Sequence, residues 1–267
     1  MSTAKLYHDA ETNALYRLDT DPYGDSVELG RGKLGAVYSA HTEPGSSPPQ
    51  QVAIKVALPD AEDADFAAEY GILRALAQTS AKEHVVWAHK GQDPEDAIRL
   101  VLIMEYVAPE WQVARRYLKA PGDHLPEEVG LKIGRQYADL LHALHEDAVQ
   151  QPLGREQPGL QEVGYSIRGD RKEADFCQRP DGTLLVLDWN RARPIPTWTS
   201  EEERQRLKQQ DVQGFAQLLA QMLLGKSLLI LPDPDDTTMP EWAALSRGTR
   251  KLLAQACAGR SKLSSAA

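Results

Sequence analysis

Cysteine is nearly absent from this 267-residue chain, which carries only Cys177 and Cys257. Two thiols cannot build a disulfide framework, so a reducing cytosol is expected and both read as packing residues. Long apolar runs are missing as well. Residues 100–104 and 228–231 fall far short of the roughly 20 needed to span a bilayer. The first ten residues lack the apolar core of a signal peptide. No membrane partner and a cytoplasmic location are therefore expected. Net positive charge is also lacking. A formal charge of −9 and a pI near 5.3 oppose the cationic footprint that phosphate-backbone binding requires, so no nucleic-acid partner is expected. There is no internal repeat. With 42% hydrophobic and 26% charged residues, the composition suits one large soluble domain or two small lobes.

Residues 1–26 show mixed polarity and no clear period, and read as a leader able to add a strand. Two β-favouring runs, 27–38 and 51–58, are separated by a Pro, Gly and Ser-rich stretch over 42–50, the signature of a hairpin with a loose loop. Phe66, Tyr70, Leu73 and Ala77 then recur at helical spacing after Asp60 and Asp63, either of which suits the cap. Residues 100–107 read as a buried strand. From 126 to 145, Val129, Ile133, Tyr137, Leu140, Leu141 and Leu144 form one apolar helical stripe. The turn Arg179-Pro180-Asp181-Gly182 frames a third hairpin between Phe176 and a strand over 183–187. Further helices are predicted over 200–224, where Ser200 and Glu203 fit a capping box, and over 246–258. Residues 150–164 look like an insertion loop.

The stretch Gly30-Arg31-Gly32-Lys33-Leu34-Gly35-Ala36-Val37 fits GxGxxGxV inside the first hairpin. Glycines there let backbone approach phosphate oxygens without a side-chain clash. Downstream, Val52-Ala53-Ile54-Lys55 is a β-run ending in a lysine, followed by a helix that bears Glu69 beside its apolar face. A carboxylate so placed can pair the lysine and aim it at the α- and β-phosphates of a nucleotide.

With these motifs in order, the chain resembles the protein-kinase family over about residues 27–226. Leu102-Ile103-Met104-Glu105-Tyr106-Val107 resembles the strand and hinge that receive adenine, which implies ATP-binding roles for Met104, Glu105 and Val107 beside Gly30, Gly32, Gly35, Val37, Ala53, Lys55 and Glu69. Residues 168–176 can be laid against the family's catalytic loop. The resemblance then makes Asp170 the base that accepts or orients the substrate proton. Lys172 becomes the cation that neutralises the moving phosphoryl group, and Asp175 an oxygen ligand to Mg²⁺ in place of the usual Asn. Asp188-Trp189-Asn190 aligns with the family's metal-binding triplet, so Asp188 is expected to be the chief metal ligand and Trp189 to fill the Phe pocket. His145 reads as structural, and Asp211 is expected to hold the backbone of the catalytic loop.

The implied fold is α+β and bilobal, with a small β-rich N-lobe and hinge over 27–107 after the leader, and a mainly helical, abbreviated C-lobe over 108–267. ATP and Mg²⁺ are the implied cofactors. Only 23 positions separate Asp188 from Asp211, with no Ala-Pro-Glu triplet between them, so the platform for a peptide substrate is much reduced. This economy is similar to RIO-type and aminoglycoside-phosphotransferase-type relatives. The expected activity is an ATP-dependent transfer to a hydroxyl, on a Ser or Thr of a protein substrate. A small-molecule kinase and a non-catalytic nucleotide-binding scaffold are the alternatives, and a monomer is expected.

Overall fold

The computed structural model describes residues 5–43, 50–58, 63–96, 99–147, 162–167, 172–189, 192–196, 198–228 and 230–258. Its first half is organised by the two-residue period of a strand. In β5 (Gln51–Ala57), Val52, Ile54 and Val56 point to one face while Ala53, Lys55 and Ala57 point to the other. Antiparallel neighbours flank it on both sides, β4 (Gly35–Thr42) and β7 (Leu100–Glu105), and β6 (Ala88–Gln92) lies beyond β7. Two short strands complete the sheet: β1 (Leu6–Asp9) pairs with β6 and with β2 (Leu15–Leu18). β2 then pairs with β4 through Leu18↔Ala40, Arg17↔His41 and Tyr16↔Thr42, closing the ring β1-β2-β4-β5-β7-β6. β3 (Glu28–Arg31) stays outside the ring, paired with the N-terminal part of β4.

This closure corrects the expected architecture. The fold is a closed six-stranded antiparallel β-barrel with helices, not a bilobal kinase-like fold with an open β-sheet N-lobe. The reason lies in residues 6–18, within the segment read as a leader. Tyr7 and Tyr16 are buried inside the ring against Ala40, Val52, Ile54, Val56, Val101 and Ile103. Strands of four residues are too short to display a period in sequence, yet these two supply aromatic filling and the pairing that joins the sheet to itself.

The outer face of β5 and β7 packs on α1 (Asp63–Leu76), where Ala53, Ala57, Leu102 and Met104 meet Phe66, Ile72 and Leu73. That apolar cluster runs on into α2 (Val113–Tyr117), α3 (Glu127–His142) and α4 (Glu201–Leu224). Between α3 and α4, Tyr137 stacks on Phe215 with ring centroids 4.0 Å apart. Ser200 caps α4 by accepting from the Glu203 N–H at 3.2 Å, and the Glu203 carboxylate pairs with Arg206. After α3 the chain continues as one π-helical turn, Ala143–Asp147.

The predicted third hairpin is present as β9 (Phe176–Gln178) and β10 (Leu184–Val186). A second two-stranded ribbon pairs β8 (Glu162–Ser166) with β11 (Arg193–Pro196), and α5 (Pro240–Ala244) precedes α6 (Arg247–Ala258). The sequence reading did not foresee β6, α2, β8, β11 or α5. Of the expected insertion loop, residues 150–161 lie outside the described residues and 162–164 begin β8.

Candidate active site

Strand alternation puts Lys55 on the outer face of β5, pointing at α1. There its Nζ donates to Glu69 Oε2 at 2.6 Å, and both side chains are almost fully buried, 10% and 4% exposed. The same Nζ lies 5.6 Å from the centre of the Phe66 ring. A buried ion pair of this kind adds little to stability against an apolar substitute, but leaving one partner alone is costly. Its presence on a cleft wall is thus better explained by what it can bind.

The cleft has a volume of about 350 Å³, the size of a small-ligand site. Twelve residues singled out from sequence line it: Gly30, Gly32, Gly35, Val37, Ala53, Lys55, Glu69, Met104, Glu105, Val107, Asp175 and Asp188. The glycine turn between β3 and β4 is held by the Gly32 N–H donating to the Gly35 carbonyl at 2.9 Å. At Gly35 a Cβ would stand 2.8 Å from the Val56 carbonyl oxygen, so the close approach of β4 to β5 at the cleft mouth requires glycine there. Leu29, Val37, Ala53, Val86, Met104 and Leu187 supply apolar walls.

Opposite the lysine, the β9–β10 hairpin and the residues on either side of it deliver the two acids. Asp175 ends a single 3₁₀ turn, Glu173–Asp175. Its Oδ2 accepts from the Lys172 N–H at 2.9 Å and its carbonyl accepts from the Leu187 N–H at 2.8 Å, tying together the two flanks of the hairpin. Asp188 follows β10 with φ of +58°, a left-handed conformation that costs a non-glycine residue roughly 1–2 kcal/mol. Trp189 holds it there. The indole is buried, and its Nε1–H donates to the Val186 carbonyl at 3.1 Å, folding the chain back on itself around Asp188. Two carboxylates facing one cleft are hard oxygen donors suited to Mg²⁺, whose remaining positions water and phosphate oxygens can fill, so the residues present fit that ion.

The supporting structure is equally specific. Asp211, buried in α4, accepts from the Ile167 N–H at 3.1 and 3.0 Å, from Ser166 Oγ at 3.2 Å, and pairs with His145 Nε2 at 2.9 Å. It therefore holds the backbone immediately before residue 168, and His145 serves that contact. Asp170, the base inferred from the resemblance, lies outside the described residues, as do Arg168, Gly169, Arg171 and Asn190. Lys172 is exposed and is not among the residues lining the cleft. Cys177 is buried in β9, and burial, followed by the charge of Asp175, pushes its thiol up to about 12, so it is no nucleophile.

Sequence reasoning missed three contributors. Arg179 donates to both Glu105 carboxylate oxygens at 2.6 and 2.8 Å and to the Glu83 carbonyl at 2.7 Å, clamping the end of β7 to the β9–β10 turn. Gln112 and Arg115 line the cleft from the segment after β7. An arginine at the head of a Pro-Asp-Gly turn was the one visible sign of the clamp. For Arg115 no local pattern gave a sign. No family model matches the chain, and no curated protein matches it significantly.

Proposed function

We propose that this protein is an ATP-dependent phosphotransferase that moves the γ-phosphoryl group of ATP to a hydroxyl, that of a Ser or Thr in a protein substrate. The observation that carries the reading is the meeting, in one cleft, of the buried Lys55–Glu69 pair, a glycine turn and the carboxylates of Asp175 and Asp188. Any relationship to protein kinases then rests on this order of motifs and not on a shared two-lobed architecture.

Each residue has a task in that chemistry. Glu69 fixes the ammonium of Lys55, which aims its remaining N–H groups at the α- and β-phosphates. The glycine turn covers the phosphates without a Cβ at its Gly30 and Gly32 positions. The apolar walls and the backbone near Glu105 and Val107 suit a flat purine. Asp175 and Asp188 would hold Mg²⁺, which neutralises phosphate charge and orients the group to be transferred. Asp170 would take the proton from the acceptor hydroxyl as its oxygen bonds to phosphorus and the bond to the departing ADP oxygen breaks.

The exposure of Lys172 outside the cleft favours a second reading, a nucleotide-binding scaffold that transfers nothing. Incubation with γ-labelled ATP and Mg²⁺, with a generic protein acceptor, separates the two. Label in protein that disappears in Asp188→Ala supports transfer. Stabilisation by Mg²⁺·ATP with no labelled product supports the scaffold, and no response of either kind overturns both.

A further inference from the structure

Beside the cleft, α2 and the residues after it carry Arg115, Arg116 and Lys119, all exposed on the surface. Together with Trp111, Glu110 and Pro180 they line a second cavity of about 550 Å³. Arg115 lines both cavities, so the two are contiguous at that side chain. Among the described residues none of these three cations is engaged in an ion pair, whereas other surface arginines, such as Arg17, Arg31, Arg74, Arg179 and Arg206, are paired with carboxylates. Arg116 instead lies over the Tyr117 ring at 5.2 Å. Glu110 offsets part of this charge within the cavity lining, and Glu173 and Asp175 stand in the 3₁₀ turn packed against α2. Three cations against one acid give the cavity lining a formal charge of +2 on a chain of net charge −9. Long-range repulsion would keep anionic chains off such a protein except where a local patch reverses the field.

We propose that this cavity is the acceptor subsite, and that it takes an acidic peptide segment, with carboxylates flanking the hydroxyl that enters the cleft at Arg115. The inference rests on the phosphotransferase reading for the identity of the segment as an acceptor. The binding it describes does not depend on that reading. Charge complementarity is the argument for an acidic peptide. Guanidinium groups fork onto carboxylates, Trp111 offers an aromatic surface to the peptide backbone, and the position of α2 beside the 3₁₀ turn of Asp175 sets the segment next to the metal-binding acids.

The test compares the full chain with the double charge reversal Arg116→Glu/Lys119→Glu, neither residue lining the cleft. The probes are two fluorescein-labelled peptides with one central Ser, flanked by Asp and Glu in one and by Lys and Arg in the other. Fluorescence anisotropy should show the acidic peptide binding wild type, weakening as salt rises, and losing about tenfold or more in affinity on charge reversal. The basic peptide should not bind. Equal binding of the acidic peptide to both proteins, or to neither, overturns the proposal. So does a saturable site for inorganic phosphate that is lost on charge reversal while the peptide fails to bind, since that marks a small-anion site. The thermal shift with Mg²⁺·ATP is measured on both proteins in parallel. If it persists while peptide binding fails, only this inference falls; if it is absent while the acidic peptide still binds, the nucleotide reading falls instead.

Discussion

Tyr70 donates its hydroxyl to Glu11 Oε1 at 2.8 Å, while the other oxygen of Glu11 pairs with Arg74 at 3.0 Å. The turn between β1 and β2 thereby clasps α1 at the residue next to Glu69. Barrel closure and cleft geometry share this contact. Tyr70→Phe should lower stability by about 1 kcal/mol, a shift of about 2–4 °C in melting temperature, and weaken ATP binding severalfold by loosening the Lys55–Glu69 pair. Calorimetric titration with ATP checks it, and unchanged affinity in a less stable variant would limit the clasp to a structural role.

Removing one member of the buried pair should hurt more than removing both. Lys55→Met leaves the Glu69 carboxylate buried alone and should cost roughly 3–5 kcal/mol, whereas Lys55→Met/Glu69→Leu should recover most of that. Both proteins should lose productive nucleotide binding. Denaturant unfolding of the three proteins gives the comparison, and a double variant less stable than the single one contradicts it.

Asp188 carries two demands that substitution can separate. Asn tolerates the left-handed backbone, so Asp188→Asn should keep a melting temperature close to wild type, whereas Asp188→Ala should lose about 1 kcal/mol more. Both should abolish the dependence of ATP affinity on Mg²⁺. Retained metal dependence in either would remove Asp188 from the proposed metal site.

Alkaline pH should open the barrel. Burial, and then the charge of Asp93, pushes the Tyr7 hydroxyl up to about 12; burial and then the hydrogen bond to Glu11 do the same for Tyr70. An unfolded tyrosine ionises near 10. Raised folded values mean that the stabilisation is whole below pH 10 and is lost as pH climbs towards 12. Asp9 acts at the other end. Burial pushes its carboxyl up, but hydrogen bonds from Thr12, His89 and the Glu11 and Thr12 N–H groups outweigh burial and hold it below the ordinary range. Its contribution is present above about pH 4 and fades as pH falls through the lowered value. Phenolate absorbance followed with unfolding across this range should show a late fraction that appears together with loss of structure. Complete ionisation in one step near 10, with the fold intact, would contradict the assignment.

Twelve residues of the cleft were legible because each announces itself locally, whereas Gln112 and Arg115 carry no such sign. Glycines in a hairpin, a lysine ending a β-run, a glutamate beside an apolar stripe and an aspartate after a strand are all readable within a few positions. The barrel was not legible for the opposite reason. Its closure depends on Leu18 meeting Ala40 and His8 meeting Gln92, and no short window contains either pair. The motif run from Gly30 to Lys55 describes β3, β4 and β5 alone, a trio equally at home in an open sheet or a closed ring. The Arg179–Glu105 clamp likewise joins residues far apart in sequence. The β8–β11 ribbon was hidden by Pro194 and Pro196, which argue against a strand unless it lies at an edge.

Joining β2 to β4 has one more effect. Pairing β2 with β4 covers N–H and C=O groups of both strands that an open sheet would leave bare for a neighbouring molecule to extend. The strand left outside, β3, is four residues long, and its flanking charges, Glu28 and Arg31, are tied to each other. A crowded solution of this protein should therefore resist stacking strand upon strand, and changes that unseat residues 6–18 should reveal themselves first as turbidity.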